Sequence, residues 1–300
     1  NGATTIGKEV RLMRICIISE GCYPYTVGGV SGWLHSIIQT FPKQEFVLLS
    51  IIANREQSGK FAYRLPENVT EVYELYLEDA DWGSANKRHK SRLNKREYHA
   101  LRSLLLDQEV EWSALFDYFR DNEVSINQLL MGEDFYHAVV DCYNLQYPDI
   151  VFSDFLWTMR SMYLPLFLAL TMDIPKADVY HAVSTGYAGI IGSMGKHFHK
   201  GQFIVSEHGI YTREREEELI KAEWVQRTYK NIWIRQFKKM SKVAYNTADA
   251  VTGLYEHACE LQEVLGCPKE KLMITPNGID YKKFENLPAG SSENKRYINV

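Results

Sequence analysis

The chain has 300 residues, of which 45% are hydrophobic and 24% are charged, and these proportions exclude a largely disordered protein. Its length fits two ordinary domains or one enlarged α/β domain. The 34 basic and 38 acidic residues leave a net charge of -4, which lacks the broad positive field that nucleic-acid binding normally requires. We therefore expect no nucleic-acid partner.

Apolar runs of strand length recur along the chain, and helix-like segments separate them. They are rich in Val and Ile and run continuously instead of alternating, which is typical of buried parallel strands in repeated βα units. The runs are 14–19, 46–52, 72–77, 179–183, 203–206, 250–254 and 272–275. The pattern predicts an α/β protein with a Rossmann-like, doubly wound and mostly parallel sheet.

Three further stretches shape the domain organisation. Residues 1–13 read as an N-terminal extension before a domain over 14–285, and a helical, charged insert interrupts this domain at about 78–134. The basic residues within 87–96 indicate either a solvated helical face or a docking surface for an acidic partner or an anionic membrane. Residues 286–296 are polar and predict an interdomain linker, so that 297–300 would begin a further domain of a longer protein.

A second charged run begins a segment with helical spacing. Residues 213–218 carry the charges and open a long helical segment. Its spacing predicts one buried face with the apolar residues Ile220, Trp224, Trp233, Phe237 and Met240.

The loop after the first strand is the first candidate site. It contains Tyr25 and then Gly28 and Gly29, which precede a helix-like segment. Glycines there let the backbone approach a ligand closely, and the amides and dipole of a helix N-terminus favour a phosphate. Val30 breaks the GxGxxG pattern, so the alternative is a tight turn that merely needs glycine.

Two histidines follow neighbouring strands of the predicted sheet. His181 ends the fourth strand and is followed by Ser184 and Thr185, while His208 ends the fifth strand. Ligands of open α/β sheets bind at this edge, and two imidazoles would line a cleft with hydrogen-bond donors suited to sugar hydroxyls and phosphates. The alternative for His181 is a hydrogen-bonded core residue.

Residues around His208 extend this candidate lining. Glu207, Tyr211 and Arg213 lie beside it in sequence, with Arg215 two residues further on. The alternative for the two arginines is an exposed helix start paired with the glutamates at 216–218. No zinc or serine-hydrolase motif occurs, so we predict no metal and no cofactor.

Four segments together resemble the retaining glycosyltransferases of the GT4 family, which have the GT-B fold. The resemblance is closest to the PelF group, bacterial enzymes of Pel-type exopolysaccharide synthesis. It spans about residues 14–280 and rests on YPYTVGGVSGW, DVYHAVSTGYAG, SEHGIYTRERE and TPNGID, in this order.

The resemblance implies that this chain is the N-terminal, acceptor-side half of a two-domain enzyme. The donor would be a nucleotide-diphosphate sugar, UDP-glucose or a relative, and the acceptor a polysaccharide or oligosaccharide. By analogy, Gly28 and Gly29 approach the donor diphosphate, and His181 and His208 are the catalytic candidates that face the transferred sugar or the acceptor. The sugar-contact candidates are Tyr25, Ser184, Thr185, Glu207, Tyr211 and Arg213.

The family's donor signature, two glutamates separated by seven residues in the other half, is absent in context. Glu285 and Glu293 have this spacing but lie in the predicted linker, so we interpret the pair as chance. We therefore expect the isolated chain to be a poor catalyst. The resemblance also implies a turn at Asn277 and Gly278 and a cytoplasmic protein, peripheral to the inner membrane, that meets membrane-associated polysaccharide synthesis proteins.

Two other functions stay open. A non-catalytic binding or scaffold module would dock synthesis proteins through the basic insert, and a nicotinamide-binding Rossmann enzyme is disfavoured by the missing glycine pattern.

Overall fold

The computed structural model describes residues 12–53, 55–77, 92–223 and 227–278. They contain one sheet of seven parallel strands, in the order β3-β2-β1-β4-β5-β6-β7. All seven predicted strands are confirmed, and β3 begins three residues earlier than predicted. The strands are β1 (Arg14–Glu20), β2 (Glu45–Ile52), β3 (Val69–Tyr76), β4 (Val179–Ala182), β5 (Gln202–Glu207), β6 (Ala250–Gly253) and β7 (Leu272–Ile274).

Helices connect the strands and pack around the sheet, which confirms the predicted Rossmann-like architecture. They are α1 (Gly29–Thr40), α2 (Lys95–Leu105), α3 (Trp112–Asp121), α4 (Ile126–Leu130), α5 (Glu133–Gln146), α6 (Phe152–Leu170), α7 (Tyr187–His199), α8 (Tyr211–Lys221), α9 (Arg227–Thr247) and α10 (Glu256–Val264). None of the helices in the described part of the chain is long and apolar enough to cross a membrane.

The strand order creates a crevice beside β1. β2 and β3 lie on one side of β1, whereas β4 and the later strands lie on the other, so the direction of winding reverses between β1 and β4. Because every strand is parallel, all of them end at one edge of the sheet, which we call the carboxyl edge. Ligands of doubly wound sheets bind at this edge, at the point of reversal.

The predicted insert is helical where the structure describes it. Asn94 caps α2 by accepting hydrogen bonds from the amides of Arg96 and Glu97, and the Glu97 carboxylate accepts from the Asn94 amide. The guanidinium of Arg96 pairs with Glu111 at 2.7 Å. Residues 78–91, which include three of the six basic residues of the predicted segment, lie outside the described residues, so its docking role stays a prediction.

The long helical segment predicted from residue 213 consists of two helices. α8 ends at Lys221 and α9 begins at Arg227, while Trp224 lies outside the described residues. Ile220 is 63% exposed because its neighbour Leu219, about 100° around the helix, faces the core instead. On α9 the predicted buried face is present, as the low exposure of Phe237 and Met240 shows.

The described residues include only part of the C-terminal region for which predictions were made. Asn277 and Gly278 follow β7 in a segment without regular secondary structure. The predicted linker at 286–296 and the predicted start of a further domain lie outside the described residues.

Candidate functional site

Helix α1 begins at the carboxyl edge with an open N-terminus. Gly28 is the capping residue, its backbone is fully extended, and no side chain caps the helix. The first turn carries no acidic residue, and both Gly28 and Gly29 are exposed. The first helical hydrogen bond runs from the Gly32 amide to the Gly28 oxygen at 2.8 Å, so the preceding amides lie outside the helical ladder.

Neither glycine is required by the protein's own geometry. A Cβ added to Gly28 or Gly29 would meet no atom within 4 Å, and neither residue has a positive φ. The residue in this loop that does need glycine is Gly21, with φ at +63°. A tight turn therefore explains the glycine at position 21. It does not explain Gly28 and Gly29, for which the close approach of a ligand stays the prediction.

The N-terminus of α7, in contrast, is filled by a carboxylate of the same chain. Oε1 of Glu20, the last residue of β1, accepts hydrogen bonds from the Ala188 amide at 2.7 Å and from the Ser184 hydroxyl at 2.9 Å. Burial raises the pKa of Glu20, although these hydrogen bonds oppose the change. The sequence predicted that a ligand would approach this helix end, but Glu20 already occupies it, so an anion there would meet a carboxylate.

The N-terminus of α8 is filled in the same way by Glu207. Its Oε1 accepts from the Tyr211 amide at 3.2 Å and from the Thr185 hydroxyl at 3.0 Å. Its Oε2 accepts from the Tyr245 hydroxyl at 2.5 Å and from the Gln262 amide at 3.0 Å. Burial raises the pKa of Glu207, and the four donors oppose this.

This network places three of the predicted sugar-contact residues inside the protein. Thr185, Glu207 and Tyr211 are 0%, 3% and 5% exposed, respectively. The Tyr211 ring packs against Gly186, where an added Cβ would lie 2.2 Å from the ring carbon Cζ. Contact of these residues with a sugar stays a prediction. In the structure their side chains stabilise the loops that follow β4 and β5.

The structure brings the two predicted histidines together at the carboxyl edge. The ring of Trp33, on the second turn of α1, lies edge-on between them, with centroid distances of 5.8 Å to His181 and 4.4 Å to His208. Both histidines are partly buried. Burial, with a smaller contribution from His208, lowers the pKa of His181 to about 4, and burial also lowers the pKa of His208. The two imidazoles are therefore neutral at pH 7.

Tyr25 holds the glycine loop against β3. Its hydroxyl donates to the carboxylate of Glu74, which also accepts from the Ser58 hydroxyl at 2.7 Å and from the Gly59 amide at 3.1 Å. Burial raises the pKa of Glu74, but the hydrogen bonds from Tyr25, Tyr76 and Ser58 outweigh it and hold the value at about 2. Glu74 is thus an anion that fixes the start of the loop before α1.

The two arginines of the third predicted segment differ in their surroundings. Arg213 is exposed on the first turn of α8. The guanidinium of Arg215 pairs with Glu218 at 2.9 Å and lies 5.5 Å from the centre of the Tyr211 ring. The alternative of a paired helix start therefore holds for Arg215, and ligand contact by Arg213 stays a prediction.

Sequence reasoning missed Glu20, Trp33 and Glu74 as parts of this edge. Glu20 carried a usable signal, because an acidic residue at the end of a buried strand needs a partner. Trp33 lies four residues after Gly29 and so shares its side of the helix. Within the described ranges, no three His, Cys, Asp or Glu side chains are grouped to hold a metal ion.

The comparisons with known proteins point to one family. Residues 13–270 match the family described as "Domain of unknown function (DUF3492)". No curated protein matches the chain. Because the match covers well over half of the 300 residues, the chain belongs to the DUF3492 family.

Proposed function

We propose that this chain is the N-terminal half of a retaining glycosyltransferase of the GT4 type, similar to the PelF group. It would transfer a sugar from a nucleotide-diphosphate donor, UDP-glucose or a relative, to a growing polysaccharide. The observation that carries the proposal is the uncapped N-terminus of α1 beside two neutral histidines, at the point where the sheet reverses.

The contrast between helix ends supports a diphosphate at α1 in particular. The helix ends after β4 and β5 are occupied by the carboxylates of Glu20 and Glu207, whereas α1 presents free amides and no acidic residue. A helix N-terminus carries a partial positive charge and attracts anions. A phosphate that enters this edge would therefore find the ends of α7 and α8 filled and the end of α1 open.

The proposed reaction builds charge where these amides lie. Breaking the bond between the anomeric carbon and the diphosphate oxygen leaves negative charge on the departing diphosphate. Amides fixed before the reaction stabilise such charge without a cost of reorganisation, which is the largest contribution in many enzymes. The amides around Gly28 and Gly29 would serve this purpose.

The histidines would contact the sugars as neutral groups. Since the low pKa of His181 leaves its imidazole uncharged at pH 7, the ring has one N–H donor and one acceptor nitrogen. Nε2 lies 2.8 Å from Oγ of Ser206, which leaves Nδ1 for a sugar hydroxyl. The carboxylates of Glu20 and Glu207 each accept hydrogen bonds at a helix end, so neither is left as the nucleophile that a retaining glycosidase uses. We infer attack on the same face from which the diphosphate leaves, assisted by that diphosphate.

Family membership supports the same function. DUF3492 domains are often found in glycosyltransferase-like proteins. Together with the four ordered segments, this favours a sugar transferase over a nicotinamide-binding enzyme or a scaffold module. The proposal includes a cytoplasmic location, peripheral to the inner membrane and in contact with polysaccharide synthesis proteins.

The proposal is tested by measuring the release of UDP by the full-length protein that contains both proposed halves. A panel of UDP-sugars is incubated with polysaccharide and oligosaccharide acceptors, and free UDP is measured. We expect release that depends on one UDP-sugar and on acceptor, and a loss of turnover in His181→Ala and His208→Ala while both variants stay folded. No UDP from any UDP-sugar, or wild-type rates in both variants, would count against the proposal.

A further inference from the structure

Three side chains on adjacent strands form a hydrogen-bonded row that ends at His181. The Thr252 hydroxyl of β6 donates to Oγ of Ser206 on β5 at 2.8 Å. The same Ser206 oxygen lies 2.8 Å from Nε2 of His181 on β4. Ser206 is paired with Thr252 in the sheet, and His181 is paired with Ile204, two residues before Ser206. Because side chains alternate along a strand, all three lie on one face of the sheet.

The direction of the first hydrogen bond determines the second. A hydroxyl has one hydrogen to donate, and Thr252 uses its hydrogen on Ser206. Ser206 accepts this bond, so its own hydrogen is available for His181. Ser206 is 5% exposed, which leaves that hydrogen few partners other than Nε2. Nε2 is therefore the acceptor, and an imidazole nitrogen that accepts a hydrogen bond carries no proton.

A neutral imidazole with a bare Nε2 carries its proton on Nδ1. The ring is neutral because burial lowers the pKa of His181 to about 4. Among the residues that the structure describes, none hydrogen-bonds to Nδ1, while the centre of the ring lies 5.8 Å from that of Trp33. The Nδ1–H group is thus left for a ligand.

We infer that Thr252 and Ser206 are positioning residues that hold His181 in the Nδ1–H tautomer, so that it meets a ligand as a hydrogen-bond donor and not as a proton acceptor. In a sugar transferase this donor suits a hydroxyl or ring oxygen of the substrate. The ligand contact rests on the proposed function, whereas the tautomer rests on the side chains alone.

The test is nitrogen-15 NMR of the protein labelled in its histidines, at pH 7 and without any nucleotide sugar. The His181 signals are assigned by their loss in His181→Gln. We expect Nε2 to show the chemical shift of an unprotonated nitrogen and Nδ1 that of a protonated one. This readout needs no activity, so it stays informative even if no UDP-sugar is turned over.

Variants then test the cause of the tautomer. Thr252→Val keeps the shape of the side chain but removes its hydroxyl, so the Ser206 oxygen can accept a hydrogen bond from a protonated Nε2 of His181. Ser206→Ala removes the hydroxyl that donates to Nε2. Both should move population toward the Nε2–H tautomer, and Thr252→Ser should restore the wild-type spectrum. Ser193→Ala is the control, because it removes another buried hydroxyl, which donates to the Gly189 oxygen at 2.8 Å.

Two results would overturn the inference. One is a wild-type His181 that carries its proton on Nε2 or on both nitrogens at pH 7. The other is an unchanged Nδ1–H tautomer in both Thr252→Val and Ser206→Ala. The wild-type spectrum alone decides the tautomer, so the inference stays testable if a variant fails to fold.

Discussion

The carboxylate of Glu20 accepts a hydrogen bond from the amide of Ala188 at 2.7 Å, across 168 positions of the chain. This contact joins the end of β1 to the start of α7 on the two sides of the crevice. The Glu20 carboxyl group also occupies the N-terminus of α7, where a phosphate could otherwise bind, and Glu207 occupies that of α8 in the same way. Among these three helices, α1 is therefore the one whose N-terminus is not filled by a carboxyl group of the chain.

Gly186→Ala should destabilise the protein. The added Cβ would lie 2.2 Å from Cζ of the Tyr211 ring, so the ring or the loop has to move, and such overpacking costs about 1 to 3 kcal/mol. Urea unfolding of the variant measures the loss.

Gly32→Ala is the matched control for this change. Its Cβ would meet nothing within 4 Å and lies inside helix α1, where alanine stabilises by up to about 1 kcal/mol. Equal stabilities for the two variants would show that the packing of Tyr211 on Gly186 is not as described.

Glu207→Gln should lower the free energy of unfolding by about 2 to 4 kcal/mol. The carboxylate accepts four hydrogen bonds, and an amide in its place would turn one oxygen into a donor that faces other donors. Thermal unfolding at pH 7 measures the effect. Arg213 is exposed and outside this network, so Arg213→Gln serves as the surface control, and a loss of the same size there would argue against the assignment.

The stability of the protein should depend on the protonation of His181. Its pKa is about 4 in the folded state, against an ordinary value of 6.5, so the unfolded state binds more protons between these values. The contribution of His181 to the free energy of unfolding has its full value above pH 6.5, decreases as the pH drops, and becomes constant below pH 4. The loss from pH 7 to pH 5 should be about 2 kcal/mol.

The measurement compares the wild type with His181→Gln, which cannot titrate. The difference in unfolding free energy between the two proteins should shrink by this amount from pH 7 to pH 5. A difference that is constant with pH would mean that His181 is not buried in the neutral form.

The strands and the histidine pair could be predicted from the sequence because their signals are local. Continuous runs of Val and Ile mark buried parallel strands, and the ends of such strands meet at one edge. The partners of Glu20 could not be predicted, because Ser184 and Ala188 become its neighbours only through the pairing of β1 with β4. The break between α8 and α9 was equally hidden, since no Gly or Pro occurs between Leu219 and Arg227.

Gly29→Asp tests the proposed diphosphate site and should leave the fold intact. Its Cβ meets nothing within 4 Å, and an acidic residue on the first turn stabilises a helix by up to about 1 kcal/mol. The carboxylate would occupy the end of α1, as Glu20 and Glu207 occupy the ends of α7 and α8. Gly29→Asn has nearly the same shape without the charge and is the matched control.

The most direct measurement is the affinity of the complete protein for UDP, by calorimetry, in the wild type and in these two variants, with uridine as the ligand that lacks phosphate. We expect the wild type to bind UDP, Gly29→Asp to bind it at least about tenfold more weakly, and Gly29→Asn to stay within about threefold, since one hydrogen bond to a charged group contributes about 1.5 to 3 kcal/mol. Uridine should not distinguish the three proteins. Wild-type affinity for UDP in Gly29→Asp, or no binding of UDP by the wild type, would contradict a donor diphosphate at the N-terminus of α1.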